Sequence, residues 1–177
     1  MAMDFPVKAF EGIETPFYYY DVALLEKTLA TAQMEAAKYD GFHVHYAVKA
    51  NFNPRLLQIV AQSGMGADCV SGGEVRAAIE AGIPASKVVF AGVGKTDKEI
   101  AFALDAGIFC FNVESVPEIE AIEELAAQRD VVARVALRIN PNVGAHTHAN
   151  ITTGLAENKF GINYEQIDEV IDVIESK

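Results

Sequence analysis

Lys49 ends the run Phe42–Lys49, which reads as a β-strand, and its ε-amine is the strongest candidate nucleophile in the sequence. Side chains alternate along a strand. Phe42, Val44, Tyr46 and Val48 then face one way, and His43, His45, Ala47 and Lys49 face the other. In a βα barrel the bulky apolar set lies under the helices and the mixed set points inward. Lys49 is in phase with the inward set, at the carboxyl end of its strand, where the active sites of such barrels lie. Burial there strips water from an ammonium and favours the neutral amine. A neutral amine condenses with an aldehyde. The competing reading of Lys49 is a strand-end lysine in a surface ion pair.

The same parity picks out two further charged residues. In Val132–Asn140, Arg134, Ala136, Arg138 and Asn140 lie opposite Val135, Leu137 and Ile139. Arg138 points inward near the carboxyl end, where a buried guanidinium needs an acidic partner or an anionic ligand. Asp68, opposite Ala67 and Cys69, supplies one such partner. A structural Arg138–Asp68 pair and a ligand site both remain open. His146 and His148 lack further ligands at useful spacing, so no metal centre is expected. Cys69 and Cys110 lie in apolar runs and read as packed core. Their spacing suggests neither a disulfide framework nor zinc, which points to a reducing cytoplasm.

These side chains need a scaffold, and the pattern from residue 42 onward supplies one. Strands are expected at Phe42–Lys49, Ala67–Val70, Lys87–Ala91, Ile108–Val113 and Val132–Asn140. Helical runs separate them, which reads as repeated βα units on a parallel sheet. Asn53-Pro54 opens one helix, which Gly64 stops; another spans Glu74–Ala81 before Gly82. Thr96 with Glu99, and Ser115 with Glu118, have capping-box spacing. Asn163 with Gln166 opens a last helix, striped by Ile167, Val170, Ile171 and Ile174. Ahead of these units, Phe17–Tyr20 reads as a strand. Asp21 then caps a helix whose apolar face is Val22, Leu25, Leu29, Ala32 and Ala36. Five βα units fit either an open doubly wound sheet or part of a closed barrel. The glycine-rich dinucleotide fingerprint of the former is absent.

The 177 residues are 51% hydrophobic, enough for one domain with a real core. No apolar run approaches the ~20 residues of a membrane span, and the N-terminus lacks the pattern of a secretory signal. With 25 acidic against 14 basic residues, the net charge of −11 argues against nucleic acid or an anionic membrane as partner.

In combination the motifs resemble one family. His45-Tyr46-Ala47-Val48-Lys49-Ala50-Asn51 resembles the cofactor-lysine strand of the alanine-racemase-like, fold-type-III pyridoxal phosphate decarboxylases. Gly66-Ala67-Asp68-Cys69-Val70-Ser71-Gly72-Gly73-Glu74 is similar to that family's second strand and the helix start after it. Leu137-Arg138-Ile139-Asn140-Pro141, Thr147-His148, Thr153-Gly154-Leu155 and Lys159-Phe160-Gly161-Ile162 resemble the branch acting on diaminopimelate. Relatives acting on ornithine or arginine share the Lys-Phe-Gly segment.

The resemblance implies a partial (β/α)8 barrel at residues 21–177. It implies that residues 1–20 join a β domain and that the cofactor is pyridoxal 5'-phosphate. Lys49 would hold the cofactor covalently. Asp68, Glu74 and Arg138 would line its surroundings, with both acids near the Lys49 amine. Lys159 would sit near a subunit interface, His148 near the substrate or that interface, and 144–157 would form a loop at the mouth. The implied activity is decarboxylation of meso-2,6-diaminopimelate to L-lysine in a homodimer. The alternatives are a decarboxylase of another basic or polyamine-like amino acid, and a noncatalytic pyridoxal phosphate carrier. The family's later segments carry a ring-stacking histidine, a phosphate loop, a glutamate for the pyridine nitrogen and a catalytic cysteine and tyrosine. None of these is in the sequence, so the chain alone is expected to be inactive and, with unpaired sheet edges, to self-associate.

Overall fold

The structure is a computed structural model that describes residues 5–141 and 160–175. Helix α1 (Val22–Ala36) precedes an alternating series. That series runs β1 (His45–Ala47), α2 (Pro54–Gln62), β2 (Gly66–Cys69), α3 (Gly72–Glu80), β3 (Val88–Phe90), α4 (Asp97–Ala106), β4 (Cys110–Val113), α5 (Val116–Ala127) and β5 (Val135–Leu137). After it come β6 (Ile139–Asn140), β7 (Ile162–Asn163) and α6 (Ile167–Glu175).

Strands β1 to β5 are parallel and adjacent in chain order. A doubly wound sheet reverses its strand order at a switch point. An order that never reverses, with crossovers of one hand, keeps the helices on one face. The fold is therefore part of an α/β barrel wall, and the open-sheet alternative is removed. No helix among the described residues is long and apolar enough to cross a membrane.

The core lies between that face and its helices. Ala67, Cys69, Val88, Phe90, Phe111 and Val113 are buried from the strands. They meet Leu57 and Val60 of α2, Val75 and Ala78 of α3, Ile100 and Ala103 of α4, and Ile119 and Ile122 of α5. Truncating one of these large side chains to alanine costs about 2–5 kcal/mol. Their strand neighbours Asp68, Val89 and Asn112 are only partly buried, which is the parity that leaves the other face for chemistry.

Local sequence sets the helix starts. The Asp21 carboxylate accepts from the Leu24 amide at 2.9 Å and the Asn53 side chain from Arg55 at 3.0 Å, with Pro54 in the first turn. Thr96 and Glu99 cap each other reciprocally, and Gly107 ends α4 in the left-handed region at φ 68°. Helix α3 starts at Gly72, ahead of the expected Glu74, because the Ser71 hydroxyl accepts from the Glu74 amide.

Several expected elements differ. The strands are shorter than their apolar runs: Phe42 is exposed, and Lys49 lies in a 3-10 turn, Val48–Ala50, just past β1. Phe17–Tyr20 is not a strand, because no partner strand lies beside it among the described residues. Its rings pack locally instead, Phe10 against Phe17 at 5.3 Å and against Tyr19 at 5.2 Å. Of the α1 stripe, Leu29 and Ala36 are buried, Leu25 and Ala32 pack on the core, and Val22 is exposed. Asn163 makes no side-chain cap; it ends β7, and a 3-10 turn, Tyr164–Gln166, leads into α6. In α6 Val170 is buried, whereas Ile171 is exposed.

The run Val132–Asn140 divides at Arg138. The Arg138 amide donates to the Val113 carbonyl at 2.9 Å, and its own carbonyl accepts from Ile162 at 2.8 Å. One residue thus seams β4 on one side to β7 on the other. Gly161 makes the seam possible: a Cβ there would lie 2.7 Å from the Arg138 carbonyl oxygen, and φ is 107°.

Candidate cofactor site

The carboxyl ends of β1 to β5 surround a cavity of about 790 Å³. Lys49 reaches it from the turn after β1, Asp68 from β2, Gly92 from the loop after β3, Glu114 from the end of β4 and Arg138 from the end of β5. The parity argument for Lys49, Asp68 and Arg138 puts these three side chains around one space, and so does the fold.

Their surroundings differ. Lys49 is exposed and has no hydrogen-bond partner among the described residues. Asp68 Oδ1 is buried without a hydrogen-bond partner among the described residues. A buried carboxylate oxygen left open is costly, and a cation or donor brought to it recovers that cost. The side chain of Arg138 is 49% exposed, and its Nη1 donates to both carboxylate oxygens of Glu114 at 3.0 Å. The Phe160 ring stands 5.7 Å from the guanidinium carbon.

The structural pairing of Arg138 with Asp68 is therefore corrected: the partner is Glu114. Adjacency explains it. The ladder pairs Val113 of β4 with Leu137 of β5, so the next residues, Glu114 and Arg138, are neighbours. Asp68 is three strands away, roughly 14 Å at a strand spacing of ~4.8 Å.

Glu74 does not line the cavity. Its carboxylate accepts from the Val70 amide at 2.8 Å and closes the turn between β2 and α3. His148, Lys159 and the segment 144–157 lie outside the described residues.

Sequence reasoning missed a charged cluster behind the mouth. The Lys95 side chain is 1% exposed and pairs with Glu118. It also donates to the carbonyls of Gly92 at 2.8 Å and Asn112 at 2.9 Å. The other Glu118 oxygen accepts from the Glu114 amide at 2.9 Å. So Ser115–Glu118 is half a capping box: the Ser115 hydroxyl takes the Glu118 amide, but the glutamate turns to Glu114 and Lys95. The parity that marks Asn112 as inward, carried two residues on, would have found Glu114. Nothing in the local sequence marks Lys95.

The environments of other ionisable groups fit their placement. Burial, helped by Glu74 and Asp68, pushes the Cys69 thiol up to about 12, so it is no nucleophile. Burial likewise raises Cys110. Both cysteines are buried and free. Burial and then His43 lower the titration of His45, with Asp68 opposing them.

The family model described as "Pyridoxal-dependent decarboxylase, pyridoxal binding domain" matches residues 24–177. The chain is 64% identical over 169 residues to the diaminopimelate decarboxylase of Bacteroides thetaiotaomicron, covering 96% of the chain and 44% of that relative. Against the enzyme of that name from Neisseria meningitidis serogroup A it is 47% identical, over 87% of the chain and 38% of the relative. The crystal structure of diaminopimelate decarboxylase from Helicobacter pylori complexed with L-lysine superposes with a TM-score of 0.82 at 42% identity, over 93% of this chain and 41% of that one. The chain thus spans less than half the length of the relatives it matches.

Proposed function

The chain belongs to the pyridoxal-dependent decarboxylases, and from that premise we propose that it is the lysine-bearing part of an enzyme that decarboxylates meso-2,6-diaminopimelate to L-lysine and carbon dioxide. The observation that carries this reading is the mouth of the partial barrel. There an exposed amine and a buried carboxylate oxygen, neither with a partner among the described residues, share a cavity with a half-exposed guanidinium.

Those groups suit pyridoxal phosphate. The Lys49 amine is free to condense with its aldehyde. Asp68 Oδ1 is an open acceptor for the proton of an ammonium. Arg138 commits one nitrogen to Glu114 and lines the cavity, where its remaining N–H groups would serve an anionic group. Glu74 acts at one remove, holding the Val70 amide beside Asp68. When bound, pyridoxal phosphate supplies a conjugated sink for the electron pair left by the departing carboxylate.

The chain's own residues would then have distinct tasks. Lys49 would hold the cofactor through Nζ. Asp68 would offer a hydrogen-bond acceptor to an ammonium in the same cavity. Arg138 would orient a negative group across the cavity.

The reading extends to parts that the mouth does not include. Residues 1–20 join a β domain, and 21–177 form the barrel portion. His148 and Lys159 meet the substrate or a partner subunit in a homodimer. The enzyme works in the cytoplasm, which the two free cysteines support.

Borohydride reduction of the full-length protein with pyridoxal phosphate, followed by peptide mapping, should place the label on Lys49. A label on a different lysine ends the assignment. Lysine release from meso-diaminopimelate, measured beside amine release from ornithine and arginine, decides the substrate.

A further inference from the structure

We propose that Glu114 is a positioning residue that fixes the direction of the Arg138 guanidinium at the mouth and ties the Gly92 loop to it. This rests on the reading of the mouth as the cofactor site.

The pair is uneven. The Glu114 side chain is 3% exposed and the Arg138 side chain 49%. Water alone would satisfy a half-exposed arginine, so burial of Arg138 does not call for the glutamate. A buried carboxylate, in contrast, is a cost to the fold unless it is fully paired. Glu114 meets that requirement with Arg138 Nη1 on both oxygens and the Gly92 amide at 3.2 Å on one. The result is a long, flexible cation held at one nitrogen from below. Its side chain also lines the cavity that Lys49 and Asp68 share, and its other N–H groups make no hydrogen bond among the described residues. An arginine pinned in this way has lost its rotamer freedom before a ligand arrives, and less is lost on binding.

The support for Glu114 comes from behind. Lys95 and Glu118 do not line the cavity. Glu118 accepts the Glu114 amide, while Lys95 holds Glu118 and the carbonyls of Gly92 and Asn112. Two cations and two carboxylates balance, so the cluster presents no excess charge to the mouth. Glu114 is the one member that joins this enclosed cluster to a cavity-lining cation.

The test is a double-mutant cycle in the full-length protein, with retention of pyridoxal phosphate read by its bound absorbance and the melting temperature read on the apoprotein. Glu114→Gln is expected to weaken retention about tenfold, as loss of an orienting partner does, with little change in melting. In an Arg138→Met background the same substitution should change retention by less than about twofold, because it acts only through the arginine. Additive losses, or a fall in melting temperature with unchanged retention, overturn the inference and leave Glu114 a packing residue. Should the glutamine variant not fold, Glu114→Asp repeats the cycle: it keeps the buried charge but is too short to reach both Arg138 and Gly92. Weakened retention in Arg138→Met with none in either Glu114 variant overturns the Glu114 assignment alone. Unchanged retention in Arg138→Met with the label on Lys49 overturns this inference alone, whereas borohydride labelling away from Lys49 overturns the cofactor reading and this inference with it.

Discussion

The two ends of one sheet treat their polar groups in opposite ways. At the amino-terminal floor a cavity of about 360 Å³ is lined by Gln33, His43, His45, Lys87 and Phe109, among others. Its long side chains end on backbone: Gln33 donates to the Ser63 carbonyl at 3.0 Å and Lys87 to the Gly64 carbonyl at 2.9 Å. Gly66 lets the strands close up there, since a Cβ would lie 2.4 Å from both the His45 ring and the Lys87 carbonyl oxygen. At the mouth the side chains end on each other, and an amine and a carboxylate oxygen are left over. Three lysines state the contrast. Lys87 ties the start of β3 to the loop after α2, Lys95 pairs with a mostly covered carboxylate, and Lys49 bonds nothing among the described residues. Polar groups absorbed by the fold report on stability; those left over report on chemistry.

That contrast breaks most plainly at Lys49. Lys49→Ala should lower decarboxylation by the full-length protein at least about a thousandfold, while an exposed site without partners holds stability within about 0.5 kcal/mol. A matched fall in melting temperature would make Lys49 structural after all. Lys95→Met should do the reverse. Removing one partner of a buried pair costs about 3–5 kcal/mol, readable as a shifted urea midpoint. At the floor, Gly66→Ala should cost about 1–3 kcal/mol through overpacking and leave cofactor retention intact; altered retention would couple the two ends.

The smallest effect is titration of the floor. Burial and His43 lower the His45 value below 6.5 in the folded chain. The unfolded chain takes up its proton near 6.5 and the folded chain resists it, so this contribution to stability is whole above that pH and declines below it. Urea midpoints measured across this range should drop less in His45→Gln than in the parent chain. Equal slopes would remove His45 from the account.

How far the sequence reveals the two ends depends on the kind of information each holds. Strand parity is local, so the inward set Lys49, Asp68 and Arg138 was legible, as was the Thr96–Glu99 cap, whose members are three residues apart. The partner of Arg138 was not, because it is set by which strands lie side by side. Once strand order is known, Glu114 follows from the register. Lys95 depends on two loops meeting and has no local signal. The seventh strand was hidden for a related reason: Ile162–Asn163 is only two residues long and exists because Gly161 approaches the Arg138 carbonyl. Phe17–Tyr20 failed in the opposite direction. Its composition favours a strand, but a strand needs a neighbour, and its rings found one another instead.

The unreversed strand order also has a kinetic meaning. Paired residues are about 21 apart in the chain at His45–Gly66 and about 24 at Phe111–Val135. Every closure in the ladder therefore carries nearly the same modest entropy, since doubling a loop adds only about 0.6 kcal/mol. Each strand docks against one already in place, and none waits for residues translated much later. A wall ordered in this way can assemble behind the ribosome one unit at a time, with the Lys49 strand as the template on which all the others are laid.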